Sequence, residues 1–574
     1  MAAPSSAAHK PRRKTKKTAT YDAIAKPEAL VRTPSFPLAA FLWPARGSVS
    51  QWEVLPLILM AVGLFRWAAG LWGYSGFQAP PMFGDFEAQR HWMEITTQLP
   101  ISQWYFHDFE WWGLDYPPLT AYHSWLLGKI GAIIDPTWFE LFASRGSHDP
   151  TLKIYMRATV IVSEYLIYIP AAVIFVRRYS RLFGVAPWTA WVALVAILMQ
   201  PATILIDHIH FQYNTVMLGF VLSSMSSMLA GRHMWAAVFF VAALGFKQMA
   251  LYYAPAVFAI IAIATVISFA ILILPIVLGT LYDASRGIDS QPDLDGPHPP
   301  LPIFPQLAEY LDTNAIYYPV VEQLVQMVHR VFPFSRGLFE DKVANFWCAI
   351  NVVIKMRKYP AVLLQRISLA ATLAAIAPAN FILLVRPRKQ LLPYAFAATA
   401  WGFFMFSYQV HEKSALLPLL PMTVLLAGNQ GLGKDIRAWV GFANLLGAWT
   451  MFPLLSRVDL KVPYAVLTLL WAYLLGLPPT STSAYFQEGQ SPWLQWSTAI
   501  VHGAFYLLMI VWHGLAQFVT PPADKPDLWV VANVGIGAAG FMLCYFWCLA
   551  KLVQESGILA RNASQSPGGN KKTQ

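Results

Sequence analysis

From Trp52 to Ala550 the chain is divided into apolar runs joined by short polar segments. Each run is close to the ~20 residues that a helix needs to cross the hydrocarbon of a bilayer. The runs cover 52–72, 157–176, 188–206, 214–230, 234–252, 363–385, 391–408, 414–430, 436–455, 463–478, 495–516 and 527–550. They are continuous rather than alternating, which selects helices over a transmembrane barrel. Only 12% of the residues are charged and 56% are hydrophobic, too little polar surface to clothe a water-soluble fold. The expected architecture is an all-α polytopic membrane domain at 51–551 with about 14 transmembrane helices. Arg66 lies inside the first run and must face protein or a polar cavity. The run 121–134 is short, contains Lys129 and reads as an interfacial helix. Tyr253–Leu281 is an apolar stretch of 29 residues without a polar joint. At about 1.5 Å per residue it is long for one crossing and short for two. It reads as one span, as two truncated spans, or as a place where the gene model has lost a loop.

The basic residues set the sidedness. The net charge is +11, much of it in a tail that carries Lys10, Arg12, Arg13, Lys14, Lys16 and Lys17. A basic tail ahead of a first span predicts a cytosolic N-terminus and gives no sign of nucleic-acid binding. Residues 1–50 are rich in Ala, Ser, Pro and Lys and are expected to be disordered. Arg177, Arg178, Arg181, Arg232, Arg386, Arg388, Lys389, Lys434, Arg437 and Lys551 fall at joints that an alternating path places in the cytosol. Positive-inside then favours two crossings within 253–281. The same path puts 73–156, 207–213, 283–362 and 409–413 on the opposite face, and these segments hold the acids, histidines and aromatics. The tail 552–574 ends with Lys571 and Lys572 in the dilysine pattern that a coat receptor reads from the cytosol to return membrane proteins to the ER. On this path the sequon at Asn562 is cytosolic and unused. Cys348, Cys544 and Cys548 supply no disulfide framework.

Chemistry concentrates just past the first span. Residues 84–124 contain Asp85, Glu87, Arg90, His91, Glu94, His107, Asp108, Glu110, Asp115 and His123 among many aromatics. Ionisable groups at a membrane face are costly to desolvate and mark a working site, or else begin a solvated surface helix. Asp85, one short loop beyond the span, is the first candidate for a catalytic base. Asp207, His208, His210, Gln212 and Asn214 form a second cluster, read as a polar hairpin touching sugar rather than as a zinc site. Lys247, late in the span 234–252, either snorkels or holds a phosphate. Arg336, Asp341 and Lys342 enter the membrane from a long loop, and His411 and Lys413 lie between two spans. Cations at that depth suit a lipid-linked phosphate. No P-loop, GxGxxG, HExxH or GxSxG pattern is present, so a soluble nucleotide cofactor is not expected.

The motifs GDFEAQRHWMEIT (84–96), LDYPPLTAYHS (114–124), DHIHFQYN (207–214), FKQM (246–249), RGLFEDKVANFWC (336–348) and VHEKS (410–414) resemble, in order, those of the ER lumenal glucosyltransferases that use dolichyl phosphate glucose. The resemblance implies the polytopic C-type glycosyltransferase (GT-C) fold. The family has two sister enzymes. The block Gly84–Trp92 and the Leu-Thr-Ala-Tyr-His after the proline pair look like the one that adds the first glucose to the nine-mannose dolichyl-pyrophosphate oligosaccharide. The sister adding the second glucose is the alternative. The cytosolic loop that the family carries within 253–281 is missing here. The implied reaction is an inverting single displacement that forms an α-1,3 bond in the N-glycan precursor pathway. Asp85 would be the base. Lys247, His411, Lys413 and Arg336 would bind the donor phosphate. Glu87, Arg90, His91, Asp115, Tyr116, His208, His210, Gln212 and Asp341 would bind acceptor or sugar. No metal or other cofactor is expected, although Asp85 and Glu87 could instead hold a divalent ion. The partners implied are dolichol-linked donor and acceptor lipids in the ER membrane. Rival classes are a lipid-linked sugar transporter or flippase, and a silent subunit. A transporter is expected to show internal repeats and midplane polar groups, and neither is seen. Glycosylation acceptor sites inserted at residues 100 and 430 are expected to be modified at 100 only; modification at 430 alone would reverse the topology.

Overall fold

A computed structural model describes residues 36–46, 51–107, 110–258, 262–288, 310–332, 342–486 and 492–559, with 301 and 306. Arg336, Asp341, Asp108, Asn562 and the dilysine pair, like most of the N-terminal tail, lie outside the described residues. Every regular element among those described is a helix. Among the described residues, eight helices are long and apolar enough to cross a membrane, and Asn214–Leu229, His233–Phe246 and Lys461–Leu474 are shorter apolar helices. Length and composition of the described helices do not confirm the expected count of about 14.

Burial separates two kinds of span. The most apolar windows within Pro187–Phe211 and Lys434–Arg457 are 89% and 78% buried, so these helices form the centre. Those within Val266–Ser285 and Trp496–Phe518 are 17% and 22% buried. Their outward Leu, Ile and Val side chains need no protein cover, because lipid tails are as apolar as they are.

The interfacial helix appears as Pro118–Ile134. It packs against the helix Gly84–Gln98, and Lys129 Nζ donates to the Thr97 carbonyl at 2.9 Å. Trp125, Ile130 and Ile133 remain exposed on its outer side. The run 253–281 becomes a short helix, Ala254–Phe258, and a long one, Ala262–Ser285. Both ends of the region return to the 84–124 segment. Thr120 Oγ1 donates to the Phe246 carbonyl, and Asp283 accepts from the Ser102 amide at 3.1 Å. Phe246 and Asp283 thus both lie against that segment.

Arg66 does face protein. It is fully buried, ion-paired with Glu164 and hydrogen-bonded to the Leu198 carbonyl, and its Nη1 lies 3.2 Å from His208 Nε2. Glu164 also meets His208 Nε2 at 2.7 Å. The segment 204–211 is not the hairpin expected from sequence but a π-helix, Ile204–Phe211. A π-helix leaves carbonyls without their usual partners. Arg157 supplies two of them, donating to the carbonyls of His208 and Ile209, and it also donates to the Gly73 carbonyl. Asp207 then ties the exit, accepting from Asn214 Nδ2 at 2.8 Å and from the Thr215 amide at 2.5 Å. Removing one partner of a buried pair strands the other charge, at a cost of about 3–5 kcal/mol. Arg66→Met is therefore expected to lower the melting temperature of the purified protein sharply, and Arg66→Met with Glu164→Leu to recover part of the loss.

Candidate active site

Asp85 stands in the first turn of the helix Gly84–Gln98. Two glycines put it there. Gly84 and Gly76 have φ of +64° and +83°. A Cβ on Gly84 would lie 2.8 Å from the Gly76 nitrogen, and one on Gly76 would overlap the Phe83 carbonyl. The chain can double back so tightly only where neither residue has a side chain.

The carboxylate is held on one oxygen. Asp85 Oδ2 meets His210 Nε2 at 2.9 Å, accepts from Gln212 Nε2 at 2.9 Å and is ion-paired with Lys413 Nζ. These donors come from the π-helix, the strand-like exit after it and the short helix Glu412–Ala415. Asp85 Oδ1 makes no hydrogen bond among the described residues. Burial alone would raise this carboxyl, but Lys413 and the His210 contact outweigh it and hold the group well below the usual aspartate range. His411 Nδ1 accepts from the Lys413 amide at 3.1 Å and so caps that short helix. Burial, reinforced by the Lys413 charge, pushes its imidazole down to about 3, so the ring is neutral near neutral pH.

A cavity of about 370 Å³ opens beside Asp85. Asp85, Asp115, Tyr116, Gln212, Lys247, His411 and Lys413 line it, together with Gln248, Tyr252 and Phe403. Lys247 sits where the helix His233–Phe246 breaks, rather than late in an unbroken span, and its backbone is extended. Its buried ammonium donates to Asn214 Oδ1 at 2.6 Å and to Gln212 Oε1 at 3.3 Å, and lies over the Tyr116 ring at 4.8 Å. That contact fixes the Gln212 amide so that its NH₂ group faces Asp85.

Other expected site residues are not at the cavity. Arg90 is clamped by Glu87 at 2.5 Å and by Glu94 at 2.7 Å, and also donates to Ser144 Oγ at 2.6 Å. His91 meets Glu94 at 3.1 Å. Burial opposes ionisation of Glu94, but His91 and Arg90 lower it to about 2. This network ties Glu87, Arg90 and His91 Nδ1 together inside the helix packing. Glu87 faces Arg90 while Asp85 faces the cavity, so the Asp-x-Glu pair does not converge on one point. His208 is likewise spent on Glu164, and His210 on Asp85. Arg330, from the helix Tyr318–Val331, does line the cavity and was missed. It donates to the Gly113 carbonyl at 2.9 Å, a contact across more than two hundred residues that no local pattern announces.

A helical membrane domain with one oriented carboxylate among lysines at a cavity suits group transfer from a phosphate-bearing lipid. The chain belongs to the ALG6, ALG8 glycosyltransferase family, whose profile matches residues 57–549. It is 41% identical over 91% of its length to a fission-yeast (Schizosaccharomyces pombe) protein named probable dolichyl pyrophosphate Man9GlcNAc2 alpha-1,3-glucosyltransferase, covering 96% of that protein. A Saccharomyces cerevisiae relative of that name, without "probable", is 40% identical over 90% of this chain and 94% of its own. A chicken (Gallus gallus) one is 34% identical over 87% and 96%.

Because Asp85 is held below the ordinary aspartate value of about 3.9, it stays ionised through the neutral range and protonates only in acid. The acid limb of kcat/KM is expected below about pH 4 in the free enzyme. Lys413→Gln is expected to move that limb upward, since burial is then less opposed. Coincident limbs in the two proteins would show that Lys413 does not set the charge of Asp85.

Proposed function

We propose that this chain transfers glucose from dolichyl phosphate glucose to the lipid-linked oligosaccharide Man9GlcNAc2-PP-dolichol, forming an α-1,3 bond at the lumenal face of the ER membrane. The observation that carries the proposal is the geometry of Asp85: Oδ2 held by three donors, Oδ1 open, beside a cavity lined by Lys247 and Lys413. The names of the relatives support the choice of the first glucose over the second.

The chemistry follows from charge. The acceptor hydroxyl attacks the anomeric carbon on the side opposite the phosphate. Its proton passes to Asp85 Oδ1. The bond from carbon to phosphate oxygen breaks, and its electron pair leaves with dolichyl phosphate. The leaving group is already a competent anion, so it needs cations rather than a general acid. Lys413 is assigned to that phosphate, with Lys247 and Arg330 flanking it and neutral His411 able to donate or accept a hydrogen bond. Asp115, Tyr116 and Gln212 line the cavity and are assigned to sugar. Arg336 and Asp341 keep their proposed roles in phosphate and acceptor binding. Glu87, Arg90, His91 and His208 act from behind, by holding the helix and the π-helix that carry the site. Arg and Lys placement supports cytosolic termini, with the dilysine end read by a coat receptor.

Purified protein is expected to move labelled glucose from synthetic dolichyl phosphate glucose to the nine-mannose acceptor. Asp85→Asn keeps the shape and removes the proton acceptor, and is expected to cost about 10²–10⁴ in rate while donor binding persists. Near wild-type transfer by that variant would give the base to another carboxylate, with Asp115 first in line. Transfer is expected to survive EDTA, because fixed cations already face the phosphate. Loss with EDTA and rescue by manganese or magnesium would assign Asp85 to a metal instead.

A further inference from the structure

The Lys413 ammonium faces two ways. It carries three N–H donors. It is ion-paired with Asp85 Oδ2 and borders the cavity, and Nζ makes no second hydrogen bond among the described residues. Its side chain is 9% exposed, so an unmet donor there is turned toward the cavity rather than toward bulk water. The carboxylate does not depend on it for aim. His210 is anchored through the π-helix that Arg157 clamps, and Gln212 through Lys247, and both still reach Oδ2 if Lys413 leaves.

We infer that Lys413 is a shared counter-ion, which pairs with Asp85 in the free enzyme and turns to the donor phosphate when the donor binds, so that the base is released only in the loaded enzyme. The inference rests on the transfer reaction proposed above. During that reaction the donor phosphate goes from one negative charge to two as the glycosidic oxygen leaves with its electron pair. At the same time Asp85 goes from one negative charge to none as it takes the acceptor proton. A cation between them is repelled by neither group and is drawn from Asp85 toward the phosphate as charge moves. Before the donor arrives, the ion pair keeps Asp85 a poor proton acceptor. Without a phosphate in place, the site is thus poorly suited to activate a hydroxyl. The other charged or titratable groups among the described residues at the cavity are Asp115, Tyr116, Lys247, Tyr252, His411 and Arg330, with His210 against the carboxylate itself. Among the cations, the lysine at 413 is the one paired with the base.

The test is a double-mutant cycle on donor affinity, measured without acceptor so that no transfer occurs. Binding of synthetic dolichyl phosphate glucose is compared for wild type, Asp85→Asn, Lys413→Gln and the double variant, each checked for monodisperse elution. The pH is held at about 8, well above an ordinary aspartate, so that Asp85 is ionised in every protein that has it. A shared cation predicts that Asp85→Asn tightens the donor about tenfold, or about 1.4 kcal/mol, when Lys413 is present. It predicts a much smaller gain in the Lys413→Gln background, where no cation is set free. Equal gains in both backgrounds would mean plain repulsion between two anions and would overturn the inference, as would no gain at all. If Lys413→Gln elutes poorly, Lys413→Met takes its place in the cycle. Wild-type glucose transfer separates the two claims: failure to transfer sinks the proposed function, whereas transfer with equal gains removes the shared cation alone.

Discussion

Inside a bilayer every polar group must find its partner within the protein, and Arg157 is where this chain meets that demand most tightly. The π-helix Ile204–Phe211 opens carbonyls in the buried centre of the bundle. One guanidinium takes two of them, from His208 and Ile209, with a third carbonyl from Gly73, and so pins the π-helix to the loop that follows the first span. Below it, Arg66, Glu164 and His208 form a closed ionic knot with no exposed member of consequence. Together they make an irregular backbone tolerable at that depth. That irregularity is what turns His210 and Gln212 toward Asp85.

The site is built on the same logic from the opposite side. The helix Gly84–Gln98 is buried along most of its length, yet it carries Glu87, Arg90, His91 and Glu94. These four pair with one another and with Ser144, and of the helix's ionised groups Asp85 is the one that reaches the cavity. A rigid helix thus delivers one ionised group to a cavity while its other charges are silent. The cations at the cavity come from far along the chain. Lys247 arrives at a helix break, Lys413 on a capped turn and Arg330 on an amphipathic helix, so no single element determines the local potential.

Much of this was legible beforehand. Apolar run length announces a polytopic helical protein, since a bilayer crossing needs a fixed number of apolar residues. The acidic and aromatic cluster after the first span announced the site, because charge is rare near hydrocarbon. Arg66 could be assigned to the interior for the same reason. What stayed hidden were partners. Glu164 sits in an apolar run and looked unremarkable beside Arg66, 98 residues away. His208 and His210 are two residues apart in one motif, yet one faces Glu164 and Arg66 and the other Asp85. A sequence pattern groups them; only the π-helical turn separates them.

The sequence by itself therefore determined the class of fold, the approximate places of the long apolar helices, and which short segments concentrate chemistry. These depend on length, apolarity and local composition, all of which are written along the chain. Tertiary structure decided which oxygen of Asp85 is held and which is open, which histidine touches it, and that Arg330 rather than Arg90 reaches the cavity. Those outcomes depend on how helices separated by one hundred to three hundred residues pack, and on which buried polar atom is nearest when every one of them must be satisfied.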